Sequence, residues 1–236
     1  MKRIVLLLSI VGFLGISSSP ALASPLYIQP AVWSGNGTNV GVGWTSQTTS
    51  GGNTNGFLTL DNFSFAAATT FNEVTWLGIY LDSSSGSFVD GAPHTSRWDL
   101  LILADNGGAP SALIGGTTNA NVVRTTLGTG VFGSTPVTVY QFTGEIPDFN
   151  AAAGVTYWLA PVSVASQTLN PFFSWIEGTG GNGLSDQFQF SNGAVVNQFI
   201  RETDRAFSLA AVPEPATIGL LALGLGGLAA RRRRRS

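Results

Sequence analysis

Hydrophobic positions along the chain fall into many short runs, not a few long ones. The runs over 57–65, 74–81, 98–104, 122–126, 136–142, 155–164, 172–177, 187–190 and 206–209 are rich in β-branched and aromatic residues. Such residues fit a pleated, half-buried surface. Between them stand turn formers, among them Asp82-Ser83-Ser84-Ser85-Gly86, Asp90-Gly91, Asp105-Asn106-Gly107-Gly108, Asn182-Gly183 and Asn192-Gly193. Short strands punctuated in this way predict an all-β sandwich or barrel, read here as an antiparallel β-sandwich of jelly-roll-like form. No amphipathic helical period competes with it.

Within the runs, alternation separates inner strands from outer ones. Over 74–81 both faces carry apolar side chains, so this strand is expected at the centre of a sheet and covered on both sides. Over 137–142 one face is more polar, which suits an outer sheet. Residues 34–56 are mostly Gly, Asn, Thr and Ser with Trp33 before them and Trp44 inside, and read as a loop with a short hairpin across 40–44.

Both ends depart from this pattern. Lys2 and Arg3 precede an apolar run over 4–16, then Ser17-Ser18-Ser19-Pro20 and Ala21-Leu22-Ala23. A basic start, a short apolar core and small residues at Ala21 and Ala23 describe a secretory signal peptide over 1–23, passed by the Sec translocon and cleaved after Ala23. At the other end Val212-Pro213-Glu214-Pro215 leads into an uncharged apolar run over 216–230, then Arg231, Arg232, Arg233, Arg234 and Arg235. As a hydrophobic helix the run reaches only about 22 Å, short of a hydrocarbon core of roughly 30 Å. The arginines orient it with their charge on the cytoplasmic side. Pro213 and Pro215 fix φ, remove two backbone donors and keep the stretch extended. Glu214 is the one charge a protease cleft would read there.

A Pro-Glu-Pro motif, a short Gly/Leu/Ala-rich segment and a terminal arginine cluster, in that order, resemble the PEP-CTERM sorting signal of Gram-negative bacteria. Pro213, Glu214 and Pro215 match the motif, 216–230 the membrane segment and 231–235 the basic tail. The resemblance implies recognition by an exosortase, a membrane-embedded cysteine protease-like enzyme that cuts near the motif. It also implies an inner-membrane precursor delivered to the cell surface or an extracellular matrix, in the setting of exopolysaccharide and biofilm. The stretches 98–110, 140–142 and 153–159 resemble a recurrent uncharacterised sandwich domain of secreted bacterial proteins, similar to jelly-roll carbohydrate-binding modules. That second resemblance brings no catalytic motif with it.

The expected organisation is therefore a signal peptide over 1–23, a sandwich domain over 24–211 and a sorting segment over 212–236. Taking away both ends changes what the charge means. The exported part keeps four arginines and no lysine against twelve carboxylates, a net charge of −8. That balance disfavours nucleic acid, whose phosphates are met by Lys and Arg clusters, and anionic lipid. With no cysteine there are no disulfide staples, and a domain of this length buries a sufficient core without them.

Candidate chemistry is sparse. The lone histidine, His94, lies in a loop by composition, and no serine occupies a nucleophile elbow. A histidine-based zinc site lacks ligands. Glu73, Glu145, Glu177 and Glu202 lie in or beside strands with no pair singled out by spacing, so no catalytic residue is assigned. Asp82, Asp90, Asp99, Asp105 and Asp186 lie in or near loops. Turn formation is the ordinary role of such residues, and Asp82, Asp90 and Asp105 are the candidates for a structural calcium ion. Trp76 and Trp158 are read as core. Trp33, Trp44 and Trp175, flanked or followed by glycines, are read as exposed faces for glycan contact. The expectation is a non-catalytic, exosortase-processed surface or matrix protein. The alternatives are a carbohydrate-binding module of the extracellular polysaccharide and, third, a secreted glycan hydrolase using Glu177.

Overall fold

Side chains that alternate along an extended backbone commit each run to two faces, and the chain closes those faces with two stacked sheets. The computed structural model describes residues 24–50, 54–166 and 168–212. In chain order the strands are β1 (Pro25–Gln29), β2 (Thr38–Asn39), β3 (Trp44–Thr45), β4 (Gln47–Thr49), β5 (Gly56–Ser64), β6 (Thr69–Asp82), β7 (Val89–Asp90), β8 (Arg97–Asp105) and β9 (Pro110–Ala120). They continue as β10 (Val122–Phe132), β11 (Thr135–Ala151), β12 (Thr156–Ala165), β13 (Phe172–Trp175), β14 (Glu177–Gly178), β15 (Ser185–Ser191), β16 (Ala194–Arg201), β17 (Asp204–Arg205) and β18 (Phe207–Ala210). The described residues contain no helix. The signal peptide, the C-terminal hydrophobic helix and the motif from Pro213 onward lie outside them.

The first sheet runs β1-β18-β6-β11-β10-β2, with β13, β3 and β7 joined to it. The second runs β16-β15-β5-β4-β12-β8-β9, and β14 and β17 form a two-stranded ladder. Pairing is antiparallel except for β2 with β10 and β4 with β12. Every predicted run contains a strand, so the all-β sandwich stands.

The core between the sheets is aromatic. Phe63, Trp98, Leu100 and Leu159 of the second sheet meet Phe71, Trp76, Phe142 and Trp175 of the first. Trp98 sits at its centre, with ring centroids 5.0 Å from Trp76, 4.9 Å from Phe142 and 4.8 Å from Phe173. Contacts at these separations and tilts add to the burial itself. β6 turns Trp76 and Tyr80 to this core while Ile79 and Leu81 join Val137, Val139 and Ile176 on the opposite side. The strand with two apolar faces is thus central and covered on both. It is held close to β13 by Gly78, where an added Cβ would lie 2.1 Å from the Phe173 ring.

Two regions differ from the sequence reading. Residues 40–44 do not form a hairpin, because β2 and β3 pair with β10 and β13 instead of with each other. The Val42 N–H donates to Glu177 Oε2 at 2.7 Å, a partner far along the chain. β9 and β16, both edge strands, appear where composition signals no core strand.

Ser24–Val212 forms one compact unit. Its first and last strands are neighbours, with Pro25 opposite Ala210 and Gln29 opposite Phe207.

Candidate functional site

In the sequence Pro213-Glu214-Pro215 follows the last strand with almost no spacer. β18 is held between β1 and β6, Ala210 stands opposite Glu73, and the Val212 N–H donates to Asn72 Oδ1 at 2.8 Å. Pro213 is the next residue. The surroundings are acidic. Asn72 Nδ2 donates to Asp148 Oδ1, and the β6–β11 register sets Glu73 directly opposite Glu145. Partial burial and the Glu145 charge both push the Glu73 carboxyl above its ordinary range. Spacing in the sequence does not reveal this carboxylate pair, because only strand register brings it together.

The three tryptophans assigned to glycan contact part company. Trp175 is fully buried, its indole N–H donating to the Ala206 carbonyl at 2.8 Å and its ring 5.7 Å from Phe207. The expectation of an exposed Trp175 is corrected: β13 is laid between β3 and β6, and the ladder turns the indole into the core. Trp44 is half-buried, with the Arg201 guanidinium 3.8 Å above its ring, so that face is already occupied by a cation. Trp33 is half-buried and donates to the Thr129 carbonyl at 3.2 Å. It forms one wall of a groove of about 330 Å³ with Ile28, Thr75, Leu77, Gln141 and Ser208.

Glu177 spends its carboxylate on Val42 beside a buried charge cluster that composition does not disclose. Arg205 is fully buried and donates through Nη1 to the carbonyls of Val42 and Trp175, and through Nη2 to Thr203 Oγ1. Burial lowers its pKa to about 10. Its backbone N–H bonds to Asp61, a buried carboxylate that desolvation pushes well above its ordinary range. Asp204 accepts from the Gly181 and Gly183 N–H groups and ties the 179–184 loop to the same place.

The calcium candidates are each engaged as hydrogen-bond acceptors within the domain. Asp82 accepts from the Ser84 N–H and from Asn170 Nδ2, bonds that lower its pKa. Asp90 takes both the N–H and the hydroxyl of Thr138. Asp105 takes the Trp158 indole N–H and the Gly108 N–H. Among the described residues no group of three or more His, Asp or Glu side chains converges as a metal site. His94 faces the Thr168 carbonyl through Nε2 at 3.3 Å.

A second and more polar cleft, of about 500 Å³, opens where the chain crosses from β9 in one sheet to β10 in the other. Its walls carry Arg97, Arg124, Asn119, Asn121, Thr95 and Ser96, over a floor of Tyr80, Trp98 and Phe142. Sequence reading missed it, because its two arginines come from different sheets and show no local pattern.

The family model of the PEP-CTERM protein-sorting motif matches residues 211–235. No curated protein and no solved structure matches the chain. The chain thus carries a PEP-CTERM sorting motif beginning where the described sandwich ends.

Proposed function

We propose that this is an exported precursor, held in the inner membrane through its C-terminal segment, cut by an exosortase and left at the cell surface or in an extracellular matrix, where the sandwich acts without catalysis. The sorting motif over 211–235 carries the reading. It supports export and exosortase processing, and Val212, the last described residue before Pro213, is pinned to Asn72.

Intact mass of the exported protein, from cells with and without exosortase, tests this. Loss of residues 1–23 in both, with loss of the arginine tail only when exosortase is present, is expected. A mature surface form that keeps the arginines in the presence of exosortase would overturn it.

One observation favours a second reading, a carbohydrate-binding module within extracellular polysaccharide. The groove beside Trp33 pairs an indole wall and the apolar Ile28 and Leu77 with Thr75, Gln141 and Ser208. A few directional polar groups in an otherwise apolar concavity are what a sugar needs. Binding of a neutral oligosaccharide that disappears in Trp33→Ala supports this reading, and an empty polysaccharide pull-down counts against it.

A further inference from the structure

We infer that the cleft between β9 and β10 is a binding site for a carboxylate-bearing sugar, a hexuronate unit of an acidic polysaccharide. The inference goes beyond the Trp33 groove and does not depend on it. It begins with the placement of charge. The exported part has four arginines against twelve carboxylates. Arg205 is buried and Arg201 lies over Trp44 and Phe199. The remaining two, Arg97 and Arg124, line the same cleft. A domain that repels anions over most of its surface gathers its two other cations in one concavity.

The groups in the cleft are poised for a ligand. Asp99 holds the Arg97 guanidinium at 3.3 Å and also accepts the Asn119 N–H, which fixes both residues at the rim. One carboxylate facing two guanidiniums leaves the cleft with a surplus positive charge. Arg124 lies over the Tyr140 ring, 5.4 Å from its centroid, and has no carboxylate within ion-pairing distance among the described residues. The planar guanidinium fork matches a carboxylate with two parallel hydrogen bonds.

The rest of the lining fits sugar hydroxyls better than a bare anion. The side-chain amides of Asn119 and Asn121 offer donors and acceptors together, as does the Ser96 hydroxyl. Behind them Tyr80, Thr95 and Ser163 form a hydroxyl chain, with Thr95 Oγ1 at 2.7 Å from Ser163 Oγ. Burial raises the Tyr80 phenol to about 12, so it stays protonated. Trp98 and Phe142 give an apolar floor, and the volume falls in the range of small-ligand sites.

The test is calorimetric titration of the full chain in mild detergent with a hexuronate oligosaccharide, a neutral hexose oligosaccharide of equal length, and inorganic phosphate. The uronate should bind, the neutral oligomer and phosphate at least tenfold more weakly, and affinity should fall with added salt. Arg124→Gln should lose about tenfold or more in affinity, in line with a charged hydrogen bond. Asn121→Asp, which places a like charge in the cleft, should weaken binding as well. Both positions are exposed, and unchanged thermal melts will confirm folding. Trp33→Ala should leave uronate affinity intact, so failure of the groove and failure of this site are separable. Equal binding of the neutral oligomer or of phosphate, or full affinity in Arg124→Gln, overturns the proposal.

Discussion

Burying a guanidinium costs several kcal/mol unless its N–H groups find acceptors. Arg205 meets this in part, with two carbonyls and a hydroxyl for its Nη groups while its Nε–H is buried without a partner, and so ties the 40–43 crossing to the ends of β13 and β17. Arg205→Ala removes the donor to both buried carbonyls and to Thr203 Oγ1, and we expect a loss of about 3–5 kcal/mol in urea unfolding. Trp175→Ala should cost about as much, 3–5 kcal/mol, because a fully buried indole is removed from the core. A cost under about 1 kcal/mol would return Trp175 to the surface. The residue scale is where sequence reading was least informative. Glycines after Trp175 mark the strand end and say nothing of which side of the ladder the indole takes. Trp76 and Trp158, read as core, are 0% and 3% exposed. Arg205 and Asp61 gave no local sign, since a buried charge is made tolerable by partners from distant strands.

Elements were more legible, and the exceptions have a common cause. Runs with internal β-branched and aromatic density became β5, β6, β8 and β12, the strands that bury side chains between or beside the sheets. β9 and β16 lie at the edges of the second sheet, with Leu113, Ile114, Val195 and Ile200 exposed. Their extended form comes from hydrogen bonds to β8 and β15, which neighbours supply and composition does not announce. The Asn192-Gly193 turn that joins β15 to β16 was readable, because both residues adopt positive φ, 51° and 78°. Register also sets a pH dependence. Glu73, partly buried and set opposite Glu145, has its pKa raised by both, so the native state holds that proton more firmly than the unfolded chain does. Its stabilising contribution is complete below the unfolded value and is lost as pH rises through the folded one. We expect Glu73→Gln to stabilise the domain by a few tenths of a kcal/mol at pH 8, screened by solvent, and by nothing measurable at pH 3, in paired urea melts. A gain at pH 3 equal to that at pH 8 would remove the charge explanation.

At the scale of the whole molecule, the sorting motif and the polar cleft are written in different parts of the chain. The address was legible because it is local: Pro213, Glu214, Pro215 and the arginines stand in a fixed order over a short span. The polar cleft was not, because Arg97 and Arg124 meet only after two sheets have stacked. The adjacency of β1 and β18 has one more consequence. With Pro25 across from Ala210, the exported domain is nearly a closed ring whose seam lies between two hydrogen-bonded strands. Trimming at either end cuts at the seam and leaves no strand without its neighbour. Such a ring has no privileged starting point. A circular permutant that joins residues 24 and 212 by a short linker and opens at Asn192-Gly193 should fold to the same sandwich with a similar thermal midpoint. In that molecule the sorting motif would follow the end of β15 instead of β18, and the sandwich itself would be none the worse.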